Sequence, residues 1–229
     1  MIKKIILTSC LFISTICFSQ NNYGIVEYGI AEVNVPLKEG NSQNEMVKNI
    51  INTAKTQEFE LKFKGKISSF TNKESLDIEQ DETLSKLAKI AYTTSDSFYL
   101  YLDKKILLKK NEENILIKEQ SKDYGWEIST ESKKIDQYMC YKATCSISYI
   151  SRVGKKEKII TAWFAPSLPY SFGPKQYFGL PGLILELTES YTTYIAKKII
   201  LNDKEIAIDF PKGKTVTNEE YEQKVLSGN

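Results

Sequence analysis

Histidine is absent from the 229 residues. That removes the commonest general base at neutral pH and the commonest metal ligand, so any chemistry falls to carboxylates, lysines, tyrosines or thiols. Asp77, Glu79 and Asp81 alternate with other residues, and a strand would set all three carboxylates on one face, a geometry able to hold calcium. A solvated acidic turn is the commoner explanation of such a trio. Glu186, between leucines, offers a lone general base or simply a strand's outward face. Two cysteines, Cys140 and Cys145, follow the N-terminal apolar run. Five residues of continuous strand span about 16 Å, whereas bridged cysteines need Cα atoms within about 7 Å. The spacing argues for unpaired thiols over a local disulfide or a soft-metal pair, and solvent-facing or loosely packed thiols would be dispensable for folding. No P-loop, dinucleotide fingerprint or G-x-S-x-G elbow occurs. These residues nominate no catalytic centre, no cofactor and no metal.

The strongest constellation is instead a stiff aromatic segment from Trp163 to Ile184. Four of the six prolines, Pro166, Pro169, Pro174 and Pro181, lie in it. Proline fixes φ, while Gly173, Gly179 and Gly182 permit unusual backbone angles, so the segment reads as a shaped loop. Its aromatics are Trp163, Phe164, Tyr170, Phe172, Tyr177 and Phe178. They suit a cap on the core, or a preformed apolar surface for a ligand or partner, because stiff aromatic loops lose little entropy on binding. Leu180-Pro181-Gly182-Leu183 fits a type II turn with Gly182 at positive φ. These fifteen residues are the candidate binding surface.

Gly179-Leu180-Pro181-Gly182-Leu183-Ile184 spells the signature of the GLPGLI family. Ala162 to Pro174, Gly125-Trp126 and Tyr138 to Thr144 also resemble that family's upstream pattern, and the resemblance covers roughly Gly125 to Leu201 well. It implies a secreted or periplasmic protein of a Gram-negative envelope. It transfers no catalytic residue.

The N-terminus reads as an export signal. Lys3 and Lys4 precede an apolar run from Ile5 to Phe18, and Cys17-Phe18-Ser19 supplies small residues for cleavage before Gln20. Leu7-Thr8-Ser9-Cys10 resembles a lipoprotein cleavage box, but too little apolar sequence separates it from Lys4. The run is shorter than the ~20 residues that cross a bilayer as a helix, and no later stretch is longer. The expected organisation is a signal peptide at 1–19 and one domain at 20–229. Removing Lys3 and Lys4 leaves 29 basic against 29 acidic side chains. Their interspersion speaks against nucleic acid as a partner, and the single arginine, Arg152, against bidentate phosphate clamping.

The elements that must position the loop follow from periodicity. Tyr23 to Val35 is β-prone, and Ser42 to Glu45 forms a capping box for a helix from Gln43 to about Thr56. Phe59, Leu61 and Phe63 alternate with charges as a half-buried strand, turning at Gly65. Leu84, Leu87, Ala88 and Ala91 suggest a second helix. A run of short strands with polar turns extends from Phe98 to Phe164, and Leu183 to Thr188 and Thr192 to Leu201 follow. Thr217 to Glu220 caps a C-terminal helix. The expectation is an α+β fold: a curved antiparallel β-meander, half-barrel-like, with one or two helices on one face and a short C-terminal helix. The order of elements looks like periplasmic lipoprotein-carrier half-barrels. The expected function is a non-enzymatic binding or carrier protein for an apolar small molecule or lipidated client. A protein docking other envelope proteins through the loop is the alternative, and an enzyme of unknown class the third reading.

Overall fold

The computed structural model describes residues 23–36, 43–73, 81–151, 154–202 and 204–227. The export signal at 1–19, and Ser42, Asp77, Glu79 and Arg152, lie outside the described residues. In chain order the elements are β1 (Tyr23–Val33), α1 (Gln43–Lys55), β2 (Glu58–Lys64), β3 (Ile67–Lys73), α2 (Glu82–Ala91) and β4 (Ser97–Tyr101). Then come β5 (Ile106–Lys110), β6 (Leu116–Gln120), β7 (Glu127–Ile135), β8 (Tyr138–Ser151) and β9 (Gly154–Ala165). The chain closes with β10 (Leu183–Glu189), β11 (Thr192–Asn202), β12 (Thr215–Val216) and α3 (Asn218–Ser227).

All twelve strands form one sheet, in the order β12-β6-β5-β4-β3-β2-β1-β11-β10-β9-β8-β7. This corrects the α+β expectation: the fold is mostly β. It also corrects the plain antiparallel meander, because the sheet is mixed. β12 runs parallel to β6 at Thr215 and Val216, and β1 lies between β2 and β11, joining two meanders that grow outward from it. Nor do the helices form a layer over the sheet. α1 and α2 pack chiefly on each other and, at α1, on β1, contributing Ile51, Ala54 and Ala88 to the core.

What replaces a helical layer is the sheet's own curl. β6 and β7 stand ten strand spacings apart in the sheet order, roughly 48 Å if it were flat. Yet only residues 121–126 connect them, a reach of at most about 24 Å. The sheet therefore bends until its two arms approach each other, and its inner face becomes the core. Registry identifies that face: Phe98, Phe70, Phe59, Tyr28 and Tyr194 on one arm and the centre, Leu187, Ala162 and Ala143 on the other. Phe59 stacks on Phe70 at 5.4 Å and meets Tyr194 edge-on at 5.3 Å. Aromatic rings of this size reach across the wide interior of a curled sheet, where pairs in these geometries add to simple area burial.

Candidate functional site

The 166–182 segment between β9 and β10 folds inward and closes one end of this interior. It is stapled by backbone hydrogen bonds: Leu183 N–H donates to Leu168 O at 2.8 Å, and Ile184 N–H to Phe172 O at 3.0 Å. Phe172 and Phe178 form an antiparallel bridge, leaving Pro174-Lys175-Gln176 at the tip. Phe164, Phe172, Tyr177, Leu180 and Leu183 are buried, as are Gly173, Pro174 and Gly182. Trp163, Tyr170 and Phe178 are half-buried, whereas Pro166, Pro169, Gly179 and Pro181 are exposed. Trp163 lies on the outer face, with the Lys133 ammonium 4.4 Å from its ring centroid. The candidate surface is thus divided: three of its six aromatics form core, and three of its four prolines face solvent.

Gly182 is not the positive-φ corner that a type II turn requires. That angle belongs to Gly179, at φ 97°. Gly182 is glycine for a different reason: a Cβ there would lie 2.3 Å from the Ala165 carbonyl oxygen. The two chain ends of the loop touch backbone to backbone at that point.

The loop's tip meets the end of β10 at a buried carboxylate that the sequence reading passed over. Glu189 is 8% exposed. Its Oε2 accepts from Lys175 Nζ at 2.7 Å, its Oε1 accepts from the Tyr177 hydroxyl at 2.8 Å, and Lys158 of β9 pairs with it as well. Burial pushes the Glu189 carboxyl up, but the two ammonium groups outweigh it and hold the carboxyl down at about 2. Burial pulls Lys175 down, and Tyr194 and Glu189 beside it more than restore its charge. Burial drives the Tyr177 and Tyr124 hydroxyls well above the ordinary phenol range, so both stay protonated donors. One signal could have found Glu189: it follows Leu187 at spacing two, continuing the strand's buried face.

The 121–126 connection locks this arrangement from outside. The Tyr124 hydroxyl donates to Gln176 O at 2.8 Å, and Trp126 Nε1 donates to Phe178 O at 2.9 Å. Beside it, between the two arms of the sheet, opens a cleft of about 880 Å³. Its walls carry Lys175, Gln176 and Glu189 from the loop and β10, Thr94 and Asp96 before β4, and Lys109 from β5. Asp96 lies 3.9 Å from Lys109. Burial raises its carboxyl above the ordinary range, against the opposing pull of Lys109 and Lys175.

The other nominated residues lie elsewhere. Asp81 is the N-cap of α2, its Oδ1 accepting from both Thr83 and Leu84 N–H, which is a structural task. Glu186 faces outward, both oxygens 2.7 Å from Lys133 Nζ. Cys140 and Cys145 are unpaired and buried, with burial pushing each thiol up to about 11. Among the described residues no group of three or more acidic or cysteine side chains is placed to hold a metal, and no helix is long and apolar enough to cross a membrane.

The family model described as "Protein of unknown function (Porph_ging)" matches residues 149–186. The match spans the loop with its Gly-Leu-Pro-Gly-Leu-Ile signature and is consistent with the GLPGLI resemblance over that stretch. No curated protein matches the chain significantly. Among solved structures, two crystal forms of PNGF-II share the fold. One has 12% identity and a TM-score of 0.53, covering 89% of this chain and 32% of that one; the other has 12% and 0.54, covering 90% and 33%. The chain spans about a third of the length of PNGF-II. LprF from Mycobacterium bovis has 10% identity over 85% of this chain and 92% of that one, with a TM-score of 0.30. At these identities the PNGF-II likeness concerns the fold alone.

Proposed function

We propose that this protein is an exported, non-enzymatic binding or carrier protein that holds a small apolar or amphipathic molecule in the cleft between the arms of its sheet. The observation that carries this reading is the cleft itself. Its roughly 880 Å³ falls in the range of small-molecule sites, and such sites combine apolar walls with a few placed polar groups. Phe98, Leu107 and Ile147 supply an apolar part of the wall, and the rest of the lining is largely polar, with Asp96, Lys109, Lys175 and Glu189 among its charges. The signature loop then has a defined task. It sets Lys175 and Tyr177 against Glu189 rather than offering its aromatics outward, since Phe172 and Tyr177 are buried. Burial of those rings also weighs against the alternative of a partner docking onto the loop.

Native mass spectrometry of protein purified under mild conditions from its own envelope tests the reading. A retained small molecule is expected, and it should be lost from Ser148→Trp, which places an indole in the cleft wall. Retention that survives Ser148→Trp, or a mass equal to the bare chain in every preparation, would overturn it. Fractionation of the same cells checks the export half; recovery in the cytoplasm with residues 1–19 intact would refute it.

A further inference from the structure

The cleft lies where the sheet stops short of closing. β7 pairs with β8 only as far as Thr144, opposite Glu127, whereas β9 accompanies β8 to Ser151. The chain before Glu127 does not continue along β8. Gly125 takes φ 60°, a left-handed angle that suits glycine, and Tyr124 and Trp126 are tied to the signature loop. Among the described residues, Cys145 to Ser151 thus has a neighbouring strand on one side alone. Ser151 and Gly154 close the β8–β9 hairpin, and a hairpin that tight closes on a hydrogen-bonded pair. Counting back by twos, Cys145, Ile147 and Tyr149 bond to β9, while Ser146 and Ser148 turn their N–H and C=O groups to the open side. Across the cleft β6 is open as well: β12 covers it at Leu116 and Ile117, and Glu119 and Gln120 line the cleft beyond them.

Open strand edges invite pairing with another chain, and proteins usually guard them with charge or irregularity. β7 carries Glu127, Glu131, Lys133 and Lys134 and a register shift between Ile128 and Ser132. Cys145-Ser146-Ile147-Ser148-Tyr149, by contrast, carries no charge. The charges lining the cleft balance, four lysines against four carboxylates, so it presents no net charge to an ionic head group. It presents instead backbone donors and acceptors at strand spacing, beside an apolar strip of Phe98, Leu107 and Ile147. We propose, on the reading that the cleft is the ligand site, that its amphipathic occupant is an extended peptide segment. The segment adds as a strand to β8 along Ser146 and Ser148, with every second side chain turned in to the apolar strip. In strand addition of this kind main-chain hydrogen bonds supply affinity, and pockets for alternate side chains supply selectivity.

The probe is a synthetic peptide of about eight residues, alternating valine and threonine with a lysine and a glutamate at its ends. Titrated into the full chain, it should bind one to one. Methylating every second amide removes the N–H donors from one edge of the peptide and keeps its side chains. In at least one of the two methylation phases affinity should fall at least about tenfold, the scale of one or two lost hydrogen bonds. Ser148→Pro removes a donor from the open edge and leaves the β9 ladder intact; it should weaken binding similarly while unfolding stays cooperative. Amide exchange gives a readout that needs no substitution. Ser146 and Ser148 should exchange faster than Cys145 and Ile147 in the free protein, and slow when the peptide is added. Both methylated peptides binding as tightly as the parent, or no added protection at Ser146 and Ser148, would overturn the strand addition. Full affinity in a cooperatively folded Ser148→Pro would overturn its placement on β8. No binding of the parent peptide would overturn the peptide as occupant, and the molecule retained in mildly purified protein would still decide the cleft reading.

Discussion

The Tyr177 hydroxyl donates to Glu189 Oε1 at 2.8 Å, joining a loop residue to a strand end twelve positions later. Both partners are buried, at 1% and 8% exposure. The bond ties the signature loop to the ionic floor of the cleft, so a change in either should be felt in the other. Tyr177→Phe keeps the ring and deletes the donor. It should cost about 1.5–3 kcal/mol, the range for a hydrogen bond to a charged group, measured by urea unfolding. A loss below ~0.5 kcal/mol would show that water replaces the hydroxyl.

Glu189 predicts a defined acid sensitivity. Its folded carboxyl sits at about 2 against an ordinary value of 4.5, so folding favours the ionised form. The folded state binds fewer protons than the unfolded chain between those values, and stability is lost as pH falls through them. The contribution is fully present above about pH 4.5 and gone below about pH 2, with a size on the order of 3 kcal/mol. Unfolding of wild type and Glu189→Gln compared from pH 7 to pH 2 checks this. The gap between them should narrow on acidification; a gap independent of pH would remove Glu189 from the account. At pH 7 the variant itself should lose about 3–5 kcal/mol, because two ammonium groups lose their shared carboxylate.

Gly182 and Gly179 should respond to alanine for different reasons. At Gly182 the added Cβ meets the Ala165 backbone at 2.3 Å, so the loop ends must part; a loss of about 1–3 kcal/mol is expected, as for overpacked cores. At Gly179 the nearest atom to a Cβ is 4.0 Å away, and only the φ of 97° is strained, at about 1–2 kcal/mol. Gly182→Ala should also weaken ligand retention, since it displaces the strand start that anchors the loop. Unchanged stability for Gly182→Ala would contradict the close approach.

The two cysteines should be slow to label and sensitive to polarity. With thiols near pKa 11, only about one in a thousand is thiolate at pH 8. Iodoacetamide should modify the folded protein far more slowly than the urea-unfolded chain, with both thiols reactive in the latter. Serine at either site buries a hydroxyl and should cost about 1–3 kcal/mol. Alanine at the same sites is expected to cost about 1 kcal/mol. Equal tolerance of serine and alanine would mean the sites are wetter than the structure shows.

Much of the local structure was legible in the sequence. Alternation of Phe59, Leu61 and Phe63 marked β2, and helical spacing marked α1 and α2. Thr217 and Glu220 do form the reciprocal cap of α3, with Thr217 N–H donating to the Glu220 carboxylate at 2.8 Å and Glu220 N–H to the Thr217 hydroxyl at 3.2 Å. These features depend on neighbours within four residues, which a linear pattern records directly. The spacing of Cys140 and Cys145 likewise argued against a bridge, because covalent reach is local geometry. Tertiary structure decided the rest. Periodicity tells which face of β1 is apolar but not that its partners are β2 and the distant β11, and the curl follows from that pairing together with the short 121–126 connection. Glu189 lies 14 positions from Lys175 and 31 from Lys158, beyond the reach of any local pattern. Pairing of β9 with β10 and the inward fold of the loop between them bring the three together around a buried carboxylate, where loss of water strengthens their attraction.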